Sequence, residues 1–157
     1  DSYSLVTGER FDQTPEYVIY GGVLFVPLNM NLIKRWGNDW SRSAPVSLLQ
    51  ARSEWSSPER SQLVVALQVL AADVNLGYHD WRNWIVDTVN GHPIRDFADF
   101  SQRLANNEED NVVFENKNGY QMVINHADAL ASEASILARY QVPSASSTAQ
   151  ADSAAAP

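Results

Sequence analysis

No cysteine occurs in the 157 residues. That excludes a disulfide framework, a thiolate metal site and a cysteine nucleophile, and it leaves the redox compartment open. Basic residues are scarce: 11 Lys and Arg stand against 19 Asp and Glu, giving a formal net charge of −8. Nucleic acid and anionic membrane surfaces are bound largely through Lys and Arg, so neither is expected as a partner. Long apolar runs are missing as well. Each falls well short of the roughly 20 residues that span a bilayer, and no basic-then-apolar signal opens the chain, so no membrane insertion is expected. The three histidines, His79, His92 and His126, share no i, i+4 spacing and predict no metal site. Glu108-Glu109-Asp110 with Glu115 lacks the alternating ligands and glycine of a calcium loop and reads as a solvated acidic turn. There is no Gly-x-Ser-Gly segment, none of Ser41, Ser43 or Ser61 sits in a Gly-rich turn, and the neighbours His79 and Asp80 do not aim at a common point. With no nucleophile, base and orienting group to bring together, neither catalysis nor a cofactor is expected of this chain.

What is present is enough apolar material for a core, 45% of residues, in a length that suits one domain. The stretch Glu16 to Leu28, EYVIYGGVLFVPL, places two β-rich apolar runs around Gly21-Gly22 and predicts strand, turn, strand. Two readings of the glycine pair stand side by side. One is an ordinary hairpin turn; the other is a loop whose free amides capture a carboxylate, next to a sheet edge that accepts a peptide as an extra strand. Pro27 cannot donate to a ladder, so on the second reading a peptide registers on Val23 to Val26.

Residues 30–57 read as a helical insertion, with a short helix before Gly37 and another opening at Ser43-Ala44-Pro45. A connection of that length is expected to have a job, such as covering a sheet edge or meeting a partner. Its tryptophans Trp36, Trp40 and Trp55 are candidate interface residues. Leu63 to Leu70 predicts a strand buried on both faces, Ala71 to Tyr78 a helical turn ended by Gly77, and Trp84 to Val89 a strand turned back by Asn90-Gly91. Asp96 is expected to cap a helix that presents Phe97, Phe100 and Leu104 on one face. A hairpin turned by Asn118-Gly119 follows, then a helix over 127–140 with Leu130, Ala134, Ile136 and Leu137 as its apolar stripe. Residues 1–14 form a weakly patterned opening segment that can pair with a sheet edge. The ordered domain is expected over 15–142, with a disordered Ser/Ala-rich tail over 143–157.

The order of these parts, with QLVVALQVLAADVNLGYHDWRNWIVDTVNGHPIRDFADFSQRL at its centre, resembles the PDZ domains of Do/HtrA-type (Deg) serine proteases. YVIYGGVLFVPL, the QVLAADVNLGY block and the final ILARYQVPSA are similar to the second, C-terminal PDZ domain of plant-like Deg proteases and their bacterial relatives. The resemblance implies an α+β fold, a PDZ-like β-sandwich or partly open barrel with inserted helices and a C-terminal helix. It implies a non-catalytic regulatory module of a trypsin-like protease, with peptide or protein segments and other subunits of the same protease as partners. The peptide site implied is Tyr20, Gly21, Gly22, Val23, Leu24, Phe25 and Val26 on one side, faced by Phe97, Phe100, Ser101 and Leu104. It also implies an alternative, an assembly module whose groove is filled from within. For a bacterial parent the resemblance points to the periplasm or cell envelope; the residues themselves leave the location unknown.

Overall fold

The computed structural model of the protein describes residues 16–51 and 59–147. β1 (Val18–Tyr20) and β2 (Val23–Pro27) form a hairpin in register Tyr20↔Val23. Gly21 and Gly22 take φ of 56° and 81°, the double positive φ that a two-residue hairpin turn requires. β3 (Val64–Val69) lies along the other side of β2, and β4 (Trp84–Val86) pairs with β3, giving a four-stranded antiparallel sheet in the order β1-β2-β3-β4.

The strand expected over Trp84 to Val89 serves two sheets. It breaks at Asp87, whose carboxylate lies 2.6 Å from Arg60 and whose amide donates to the Glu115 carbonyl. Beyond it, β5 (Thr88–Val89) joins a second sheet with β6 (His92–Pro93), β7 (Asn111–Glu115) and β8 (Gln121–Asn125), in the order β6-β5-β7-β8. Both Asn-Gly turns form where expected; Asn90 and Gly91 have φ of 50° and 80°. The two sheets remain separate, so there is no closed barrel among the described residues.

Two apolar layers hold these parts. In the main core Phe25 from the first sheet meets Phe114 from the second, ring centroids 4.9 Å apart, and Phe100 packs on Phe25 at 4.8 Å. Trp81 and Trp84, half-buried and 5.1 Å apart, close its flank. The second layer lies on the opposite face of the first sheet. There α1 (Met30–Ile33), continued by a 3₁₀ turn at Lys34–Trp36, and α3 (Val46–Ala51) lay Leu32, Ile33 and Leu48 over Leu63 and Val65. A short α2 (Trp40–Ser43) links them. The insertion therefore covers a sheet face rather than an edge, and this is why Val64, Val65 and Ala66 are buried on both sides of β3. Trp36 is half-buried against this layer. Trp40 opens α2, but its side chain lies outside what is described, and Trp55 lies outside the described residues altogether.

α4 (Phe97–Ala105) starts as its sequence demands: the Asp96 carboxylate accepts from the Asp99 amide at 2.7 Å, satisfying one of the helix's free donors. Phe97, Phe100 and Leu104 are all buried. α5 (His126–Arg139) differs from expectation, because Ala129 and Ile136 form its buried face while Leu130 is 59% exposed. Asn125 both ends β8 and caps α5 through the Asp128 amide. That junction leaves no loop in which the helix can rotate to bury Leu130 instead.

The segment after α5 is a second difference. Composition places residues 143–147 in a disordered tail, yet they fold back onto β1. Ser and Ala have little to bury, but a strand can be recruited through backbone N–H and C=O groups alone. Residues 1–15 and 148–157, where an edge-pairing opening segment and the rest of a tail are expected, lie outside the described residues.

Candidate functional site

A strand can be added only to an edge whose N–H and C=O groups face outward. Val23, Leu24 and Phe25 have none to spare, since β1 pairs on one side of them and β3 on the other, and Val26 pairs with Val65. The edge expected at Val23 to Val26 is thus the middle of a sheet. The outer edge is β1. Its Ile19 amide donates to the Ala145 carbonyl at 2.7 Å, the Ser147 amide donates to the Tyr17 carbonyl at 3.0 Å, and Val18 stands opposite Ser146 in an antiparallel bridge. Side chains add to this: the Tyr17 amide donates to Ser147 Oγ and the Tyr17 hydroxyl to the Ser144 carbonyl. The chain has added its own segment to its own sheet.

Between this pairing and α4 lies a cleft of about 630 Å³. Val18 and Tyr20 line one side; Phe97, Ala98, Ser101 and Leu104 line the facing helix; His126 and Leu130 of α5 also border it. Of the expected site residues, Tyr20, Phe97, Ser101 and Leu104 come together here. Phe100 does not: at i+3 from Phe97 it turns fully into the core against Phe25. Val23 and Phe25 are likewise core residues. Gly21 and Gly22 are buried away from the cleft, packed where an added Cβ would meet Ile124 Cγ2 at 2.7 Å and Asn75 Nδ2 at 2.5 Å. Of the two readings of the glycine pair, the hairpin turn is the one formed.

The sequence reading missed Val18, Ala98, His126, Leu130 and the Ser144–Ser147 segment. For β1 a signal existed, because an apolar run as long as Leu63 to Leu70 needs a neighbour, and pairing it with β2 pushes the free edge out to β1. For Ser144–Ser147 there was none, as main-chain pairing leaves no mark in side-chain pattern.

Tyr20 Oη sits 2.6 Å from His126 Nδ1 beside the cleft. Burial penalises the phenolate and pushes the Tyr20 hydroxyl from 10.0 up to about 12. A pKa raised on folding means that the neutral ring stabilises the fold fully below pH 10.0, and that this contribution is lost as pH rises from there through about 12. A difference-absorbance titration of wild type against Tyr20→Phe is expected to place the Tyr20 ionisation at about 12. A midpoint close to 10.0 would show a solvated ring.

An outer sheet edge facing a helix across an apolar cleft is the geometry by which extended peptides are bound as an added strand. A family model described as a PDZ domain matches residues 6–149. The chain belongs to the PDZ domain family. This PDZ domain is 32% identical over 131 residues to protease Do-like 2, chloroplastic, of Arabidopsis thaliana, a match covering 83% of the domain and 21% of that protein. It is 29% identical over 143 residues to protease Do-like 4, mitochondrial, of the same plant, covering 90% of the domain and 24% of that protein. The domain thus spans less than a quarter of the length of these relatives. It is similar to the PDZ domains of Do-like proteases, and its fold is the expected α+β arrangement of two antiparallel sheets with added helices. PDZ domains are protein- and peptide-interaction modules.

Proposed function

We propose that this PDZ domain binds extended polypeptide segments on the outer edge of β1, with α4 as the facing wall, and that its own Ser144–Ser147 holds the site until a stronger ligand arrives. The pairing of Tyr17 and Ile19 with Ser147 and Ala145 beside an open apolar cleft carries this reading. The cis segment makes few ladder bonds, and each contributes only about 0.5–1.5 kcal/mol net. A peptide that repeats those bonds and also fills the cleft displaces it. The relatives are named as Do-like proteases, and on this reading the domain is a non-catalytic module through which such a protease senses or holds peptide segments.

Ser147→Pro tests the occupied site, because it deletes the amide that donates to Tyr17. Affinity for added peptides is expected to rise about three- to tenfold, the equivalent of one lost hydrogen bond, as read by fluorescence anisotropy. Unchanged affinity would mean that the segment does not compete.

A second reading, assembly of protease subunits through the insertion, draws on the 67% exposure of Val46 on α3. Under it, a Val46→Glu variant of the whole protein sediments as a smaller species than wild type. Identical sedimentation would remove this surface from assembly.

A further inference from the structure

His126 opens α5 and borders the cleft, with its Nδ1 2.6 Å from Tyr20 Oη. While the imidazole is neutral, that bond can run in either direction. The Tyr20 hydroxyl has no other hydrogen-bond partner among the described residues, and burial holds its proton until about 12. Donation from Tyr20 to Nδ1 uses that proton; the reverse direction leaves the O–H of a buried residue unsatisfied, which is costly. Tyr20 is therefore the donor, and neutral His126 carries its own proton on Nε2.

Protonation reverses the bond. An imidazolium has a donor on each nitrogen and no acceptor, so Nδ1 then donates to Tyr20 Oη and the Tyr20 proton is released for another partner. Imidazole is the side chain that ordinarily changes charge between about pH 5 and 8. The groups around it are acidic or neutral: Glu16, Tyr17 and Tyr20 stand on the β1 side, Asp128 and Glu133 follow on α5, and Asp110 gives its carbonyl to the His126 amide. α4 and Ala145–Ser147 add no ionisable group to the lining, and among the described residues no Lys or Arg lines the cleft. With His126 neutral, Glu16 and Glu133 repel a carboxylate. With His126 protonated, the same carboxylate meets a cation and a phenolic donor together.

Resting on the strand-addition reading above, we infer that His126 is a specificity-determining residue of the cleft, admitting carboxylate-bearing segments when protonated and refusing them when neutral. A hydrogen bond between charged partners is expected to tighten the binding of such a segment about tenfold between about pH 8 and about pH 5.5. The carboxylate is that of an Asp or Glu side chain or of a free C-terminus.

The test titrates labelled peptides into the Ser147→Pro chain, with and without His126→Gln, at both pH values. The peptides are the sequence from Gln141 to Gln150 with an amidated end, the same with Ser144→Asp or with Ser146→Asp, and a shorter one ending at Ser146 with a free carboxylate. An Asp peptide or the free-ended one is expected to tighten about tenfold at the lower pH while the parent does not, and His126→Gln is expected to abolish the difference. Which of them responds assigns the carboxylate to a side chain or to a C-terminus. A response that survives His126→Gln, or that the parent shares, would overturn the role of His126 and leave strand addition intact, as would no response in any peptide that binds. Failure of every peptide to bind would overturn strand addition and the specificity built on it. Nitrogen NMR of the free wild-type chain supplies a check that needs no peptide: at neutral pH the His126 proton is expected on Nε2, and a proton on Nδ1 would overturn the bond direction from which the inference starts.

Discussion

Gly22→Ala is expected to remove a large part of the stability of this PDZ domain. At φ of 81° any side chain occupies the left-handed region, which costs about 1–2 kcal/mol. The added methyl would also lie 2.5 Å from Asn75 Nδ2 and 2.7 Å from the Leu70 carbonyl. Neither neighbour can step aside cheaply. The Leu70 amide is bonded to the Gly22 carbonyl, and the fully buried Asn75 side chain donates to Gly21 and Leu70 carbonyls while accepting from the Ala72 amide. Moving Asn75 leaves buried polar groups unpaired, at about 1–3 kcal/mol. The sum, about 2–5 kcal/mol, is a large part of the stability of a small domain, about 5–15 kcal/mol. Gly91→Ala is the control: φ is 80°, but nothing lies within 4 Å, so only the conformational cost applies. Urea unfolding of the two variants separates the effects. If Gly22→Ala proves no worse than Gly91→Ala, the packing of the hairpin turn against the Asp73–Asn75 turn is wrongly described.

Phe100→Ala is expected to cost about 3–5 kcal/mol, the range for deleting a fully buried aromatic ring. Its ring is wholly shielded and contacts Phe25, Phe97 and Phe114 at centroid distances of 4.8, 6.0 and 6.1 Å. The same variant, measured under conditions where it is folded, should bind peptide as wild type does, because Phe100 faces the core and Phe97 the cleft. A drop in affinity with unchanged stability would restore Phe100 to the groove wall.

Much of this fold is legible from local chemistry. Asp96 with Phe97, Phe100 and Leu104 declares α4, both Asn-Gly pairs declare their turns, and the Val-rich run before Leu70 declares a strand, buried on both faces over Val64 to Ala66 though not at exposed Gln68. Each is a property of neighbouring residues. The site was only half legible, because it depends on which strand is outermost, and edge status belongs to the sheet rather than to any strand's sequence. EYVIY and VLFVP read alike; the first is the edge because β3 takes the far side of the second. Similarly, Phe97 and Phe100 read as one apolar face, and only the direction of α4 across the core divides them between cleft and interior. Ser144–Ser147 was illegible for a different reason: its role rests on backbone groups that every residue carries.

The most direct measurement is amide hydrogen exchange at Ile19, whose N–H points away from β2 and donates to the Ala145 carbonyl across the edge. Protection at Ile19 and Ser147 in the free domain, lost at Ile19 in Ser147→Pro and regained on adding a bound peptide, is the predicted result. An Ile19 amide that exchanges at the open-chain rate in wild type, and stays so when peptide is bound, would contradict an edge of β1 that is occupied in cis and exchanged for ligand.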